Sequence, residues 1–136
     1  MEACKKHNVV IGWTGGVNRV SVAEMVIGNS LSLLRNLYQT SNLLSNGVWQ
    51  KDGGEQLTGK TFGIIGVGYI GKEVVKMLQP FNCKILVNDI VDQKEYYAKN
   101  NLIECTKDDI FKNCDVITVH TPLTDETKYM LNKTAF

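Results

Sequence analysis

The run Thr61-Phe62-Gly63-Ile64-Ile65-Gly66-Val67-Gly68-Tyr69-Ile70-Gly71 decides the fold of this 136-residue chain. Thr61 to Gly66 is a short, continuous apolar stretch, which predicts a strand buried on both faces. Glycines punctuate Gly66 to Gly71, and the pattern then turns helical. Ile70, Val74, Met77 and Leu78 share one face over Tyr69 to Gln79, Lys72, Glu73 and Lys76 fall elsewhere, and Pro80 stops the helix.

Downstream the same grammar repeats. Cys83 to Asn88 reads as a second strand, and Asp92 to Lys99 as a short helix with Asp92 as its cap. Leu102 to Cys105 reads as a minor strand. Thr106-Lys107-Asp108-Asp109 caps a helix through Lys112, and Asp115 to His120 is the next buried strand. Alternating strands and helices specify a parallel sheet with right-handed crossovers, the unit of the doubly wound α/β fold.

Upstream, Val9 to Trp13 reads as a strand running into a loop, Thr14 to Arg19. Ser21-Val22-Ala23-Glu24 has the form of a capping box, so a helix is expected to start at Ser21. Val22, Met25, Val26, Leu33, Leu34 and Leu37 continue it at three- and four-residue spacing toward Leu44, and Ser45-Asn46-Gly47 ends it. Val48 to Gly59 is then a connection that carries Trp49 as an aromatic anchor.

Composition narrows the function. Fifteen Lys plus Arg against fourteen Asp plus Glu give a net charge of +1, with no basic block to follow phosphates along a nucleic acid. Cys4, Cys83, Cys105 and Cys114 form no C-x-x-C pair and the two histidines complete no zinc site, so no metal is expected and reduced, cytoplasmic thiols are. No apolar run is long enough to span a bilayer, and no membrane partner is expected.

Gly66-Val67-Gly68-Tyr69-Ile70-Gly71 is a G-x-G-x-x-G sequence between strand and helix, where a dinucleotide-binding turn belongs. Gly66 permits the tight turn, Gly68 lets a pyrophosphate approach the backbone, and Gly71 lets the helix pack closely on the strand. The first-turn amides and the positive helix end face the phosphates. A glycine motif alone also fits a turn that binds nothing. Asp89, at the end of the next strand, turns the reading toward a nucleotide, because its carboxylate can accept from the adenosine ribose hydroxyls. It would repel a 2′-phosphate, and Ile90 and Val91 follow where an arginine would accommodate one, so NAD is expected over NADP.

On these residues the chain resembles the D-isomer-specific 2-hydroxyacid dehydrogenases from Trp13 to Phe136. The resemblance rests on Asn18 to Glu24, on Leu57 to Gly71, and above all on Cys114-Asp115-Val116-Ile117-Thr118-Val119-His120-Thr121-Pro122-Leu123-Thr124 with Glu126-Thr127 after it. It implies the adenine-binding half of a Rossmann-type doubly wound sheet, preceded by a long helix between domains. Residues 1–20 would be the end of a substrate domain and a crossover, and residues 21–136 part of the NAD-binding domain. It also implies that His120, Thr121 and Pro122 line the adenosine side, that Val22 comes near the cofactor, and that Ser21 to Leu44 helps form a homodimer.

Relatives in this family use an arginine for the substrate carboxylate and a histidine, tuned by a glutamate, for proton exchange. None of the three is assignable here, since Arg19 and Arg35 lack the required context and His120 reads as a wall residue. The expectation is an NAD-binding piece of an oxidoreductase that interconverts a D-2-hydroxy acid and its 2-keto acid, inactive by itself. A non-catalytic module pairing with a full-length relative is the competing expectation, and a product without a stable fold is a third.

Overall fold

The computed structural model describes residues 2–51, 53–133 and 135; Met1, Asp52, Thr134 and Phe136, including the end of the expected domain at 136, lie outside the described residues. Helices α1 (Glu2–Lys6), α2 (Arg19–Leu34) and α3 (Leu37–Ser45) come first. Then follow β1 (Thr61–Ile65), α4 (Tyr69–Leu78) with a 3₁₀ turn at Gln79–Phe81, β2 (Lys84–Asn88), α5 (Lys94–Lys99), β3 (Ile103–Glu104), α6 (Lys107–Asn113) and β4 (Val116–Val119).

The four strands among the described residues are parallel in the order β3-β2-β1-β4. The order reverses between β1 and β4, and open α/β sheets bind ligands beyond the carboxyl ends of the strands at such a point. Alternate residues of β1 and β2 feed two cores. Phe62, Ile64, Ile85 and Val87 pack with Val74, Val75 and Leu78 of α4 and Ala23 of α2, whereas Ile65 and Leu86 pack with Ile110 of α6. That is why β1 reads as unbroken apolar sequence: neither face meets water.

Gly71 shows how tightly α4 sits on the strand. A Cβ there would lie 2.3 Å from the Gly66 carbonyl oxygen and 3.4 Å from Ile64 Cγ2. The first obstacle is backbone and cannot rotate away. Gly71→Ala is therefore expected to lower stability by about 1–3 kcal/mol, toward the upper end, as forced overpacking does. Chemical denaturation checks this through a lower midpoint at unchanged slope.

Four expectations need correction. Val9 to Trp13 forms no strand; Val10 and Trp13 are 94% and 84% exposed, and Val9 N instead donates to Cys4 O at 2.9 Å. A strand needs a ladder partner, and the segment has none among the described residues. The capping box at Ser21 is not formed: α2 starts at Arg19 with Asn18 as N-cap, and the Ser21 hydroxyl donates to Asn18 O at 3.0 Å. Asp92 stands one residue before the Gln93 N-cap of α5, although its Oδ1 accepts from Lys94 N at 3.1 Å.

The long helix from Ser21 to Leu44 is broken at Asn36, whose φ of 52° is left-handed, a region asparagine tolerates. The Leu34 carbonyl, which would accept from Tyr38 in a continuous helix, accepts from Glu55 N at 2.7 Å instead. The returning connection thus ends α2. The other expected elements stand, and Thr106 and Asp109 form the reciprocal cap of α6.

Candidate dinucleotide site

The glycine turn is pinned from both sides at the carboxyl edge of the sheet. Gly66 N donates to Asn88 O at the end of β2, and His120 N donates to Ile65 O at the end of β1, each at 2.8 Å. Gly66 has φ 94°, and a Cβ would meet the His120 carbonyl carbon and oxygen at 2.8 Å. Only glycine turns the chain this sharply against β4.

Gly68 differs in kind. Its φ is −79°, and a Cβ would meet nothing within 4 Å. No packing contact requires glycine there, and the space above the backbone is open. The amides of Tyr69, Ile70 and Gly71 precede the first helical hydrogen bond of α4, from Lys72 N to Gly68 O at 3.0 Å. These amides stand at the positive end of a ten-residue helix that begins directly after Gly68.

Asp89 completes the corner. Its Oδ2 accepts from Val67 N at 2.5 Å and its Oδ1 from Val91 N at 2.9 Å, so the carboxylate is tied to the glycine turn and to its own loop. Each oxygen retains a lone pair for a further donor. Gln93 Nε2 donates to Val67 O at 3.2 Å and secures the turn from its other side. Ile90, 96% exposed, and Val91 form an apolar rim beside the carboxylate.

These groups open on a cleft of about 600 Å³, within the size range of small-molecule sites. Of the residues expected in the site, Gly66, Gly68, Tyr69, Asp89, His120, Thr121 and Pro122 line it. Gly71 and Ile70 lie beneath, Gly71 against Gly66 and Ile70 against the core. Val22 is not among the lining residues.

The cleft also takes in Lys72, Gln93, Lys107, Thr124, Glu126 and Thr127, which were not expected there. Lys72 was within reach of sequence reasoning, because it sits three residues after Tyr69 and so on the same helical face. Its Nζ lies 4.8 Å from the Tyr96 ring centroid. Lys107 carries no local signal, since the packing of α6 beneath β1 and β2 brings it in.

His120 is half-buried, and its ring Nε2 lies 3.0 Å from Thr118 Oγ1. Burial lowers its pKa below the ordinary 6.5. The unfolded chain therefore takes up this proton first as pH falls, and the stability His120 contributes is present above pH 6.5 and lost as pH drops through the folded value. His120→Gln is expected to flatten the pH dependence of the unfolding midpoint below neutrality, as thermal melts from about pH 5 to about pH 7 would show.

Burial pushes the Cys114 thiol to about 11, so it stays protonated and unreactive. No cluster of metal-binding side chains occurs among the described residues, and no helix among them is long and apolar enough to cross a membrane. Arg19 lies outside the cleft, with Nε 3.5 Å from Glu73 and Nη1 donating to Gly16 O at 3.1 Å. Arg35 lies at the end of α2.

A parallel sheet, a glycine turn leading into a helix and a carboxylate at the end of the second strand define a Rossmann-type dinucleotide-binding domain. Residues 27–136 match the family model described as "D-isomer specific 2-hydroxyacid dehydrogenase, NAD binding domain". The chain belongs to that family.

D-3-phosphoglycerate dehydrogenase of Rattus norvegicus is 35% identical across 100% of the chain, and that of Bacillus subtilis 33% identical across 98%. The chain spans about a quarter of either relative, 26%. Among solved structures, D-lactate dehydrogenase from Escherichia coli superposes with a TM-score of 0.87 at 26% identity, covering 98% of this chain and 43% of that one. D-Lactate dehydrogenase from Aquifex aeolicus, complexed with NAD and lactic acid, does so with a TM-score of 0.84 at 27% identity, covering 98% and 41%.

Proposed function

We propose that this chain holds the adenosine and pyrophosphate part of NAD for an enzyme that interconverts a D-2-hydroxy acid and its 2-keto acid. The observation that carries the reading is the Asp89 carboxylate tied to the amide of Val67, beside the open backbone of Gly68. The amides of Tyr69, Ile70 and Gly71 would receive the pyrophosphate, Asp89 the ribose hydroxyls, and His120, Thr121 and Pro122 would form the opposite wall. When bound, NAD supplies the hydride acceptor.

Asp89 and its apolar rim favour NAD over NADP, since a 2′-phosphate would meet a carboxylate with no arginine beside it. The 136 residues alone are proposed to bind without turning over substrate. Both arginines stand away from the cleft, and the ring of His120 pairs with a hydroxyl rather than a carboxylate. We keep the boundary of the nucleotide-binding unit near residue 20, as no described residue before Ala23 is buried. The four free cysteines support a cytoplasmic setting.

Calorimetric titration of the full chain tests the reading: saturable heat with NAD, at least tenfold weaker binding of NADP, and no NADH formed from D-lactate or D-3-phosphoglycerate. Equal affinity for the two cofactors would remove the preference, and a folded chain giving no heat with either would remove the site.

A pairing role stands beside this one, with a second copy or a longer relative as partner. Val26 and Leu34 pack on the core, but Leu33 and Tyr38 are 78% and 83% exposed, and Leu37 and Leu44 are exposed as well. Apolar surface of this kind on α2 and α3 suits an interface. Sedimentation is expected to show a dimer that Leu33→Glu with Leu37→Glu converts to monomer; a wild-type chain that stays monomeric would set self-pairing aside.

A further inference from the structure

The loop after β4 forms one wall of the cleft, yet little apolar packing holds it. Leu123 is 84% exposed, and Thr124, Glu126 and Thr127 face the cleft. Its shape rests on hydrogen bonds that converge on one side chain. Thr127 Oγ1 donates to Pro122 O at 2.6 Å and accepts from Thr124 N at 2.8 Å. Thr127 N in turn donates to Thr124 Oγ1 at 3.3 Å, and the two hydroxyls lie 3.2 Å apart. Lys128 N closes the turn onto Thr124 O at 2.9 Å.

We infer that Thr127 is a positioning residue for the cofactor, its hydroxyl clasping the loop Pro122–Thr127 into the wall against which NAD lies. The inference rests on the NAD reading above. A hydroxyl can donate and accept at once, so Thr127 can bridge the Pro122 carbonyl and the Thr124 amide, which no apolar side chain can do. Threonine is also stiff at χ1, which holds the hydroxyl in one direction. Without the clasp the loop must be ordered when the cofactor arrives. If the binding-competent loop is then present only about a tenth of the time, the apparent affinity falls about tenfold.

The test uses the full chain and NAD itself. Thr127→Val keeps the shape and removes the hydroxyl, Thr127→Ser keeps the hydroxyl and loses a methyl, and Thr124→Val removes only the partner oxygen. Titration is expected to give about tenfold weaker NAD binding for Thr127→Val, a smaller loss for Thr124→Val and near-parental affinity for Thr127→Ser, with thermal midpoints unchanged across the set. That rescue by serine is what separates a clasp from mere packing. Parental affinity in Thr127→Val, or a Thr127→Ser chain as weak as Thr127→Val, overturns the inference while leaving the NAD reading intact. Loss of the fold in Thr127→Val also overturns it, because the role is then not confined to the loop. A wild-type chain without saturable NAD binding removes both.

Discussion

Gly68→Ala should weaken NAD binding by ten- to about a hundredfold and leave the fold as stable as before. The added methyl meets no protein atom within 4 Å, and φ at −79° suits any residue. On the proposed binding mode it would occupy the space through which the pyrophosphate approaches the amides at the start of α4. Pushing the phosphates outward sacrifices at least one hydrogen bond to a charged group, about 1.5–3 kcal/mol, and each step of about 1.4 kcal/mol is tenfold in affinity. Calorimetry beside a denaturation curve separates the two effects. Gly71→Ala is the mirror case, because there the methyl strikes the Gly66 carbonyl and stability falls first. On the proposed binding mode, two glycines of one motif thus answer to different constraints, Gly68 to the ligand and Gly71 to the fold.

Asp89→Ala is expected to cost about a hundredfold in NAD affinity, since the ribose loses a charged acceptor for its hydroxyls. It should also lower stability by about 1–3 kcal/mol, because the Val67 amide loses its acceptor in a half-buried turn. NADP behaves differently. On the proposed binding mode its 2′-phosphate would be repelled by the wild-type carboxylate, so its affinity should fall far less and the ratio of the two cofactors should move toward one. A variant that lost both cofactors equally would show that Asp89 serves only the turn.

How much of this was legible depended on how local the physics is. The strand, turn and helix from Thr61 to Leu78 were readable because glycine sterics and a two-sided apolar strand leave few other conformations. Thr106 and Asp109 were readable for the same reason, since a capping box is settled within four residues. Ser21-Val22-Ala23-Glu24 looked equally good and was misleading. Helix α2 begins earlier, where Arg19 pairs with Glu73 of α4 and Ala23 is buried against the core, contacts that lie far along the chain.

The break at Asn36 has the same origin, because Glu55 supplies the amide that ends α2. Val9 to Trp13 has strand composition, but a strand is made by its neighbour and not by its side chains alone. Within the candidate site, the convergence of Gly66, Gly68 and Asp89 on one cleft was readable from their order along one β-α-β unit. Lys107 was not, being delivered by a helix that follows the third strand. The Glu126-Thr127 pair was visible as a family signature without its role, since the clasp exists only once the loop has turned back on Pro122.

The claim that this domain receives a dinucleotide on the glycine turn is tested most directly by recording backbone amide resonances of the full chain as NAD is added. Saturable shifts concentrated at Val67 to Gly71, at Asp89 and at His120 and Thr121, absent in the Gly68→Ala variant, are the predicted result. A folded chain whose shifts stay flat there, or move only on α2 and α3, would contradict it.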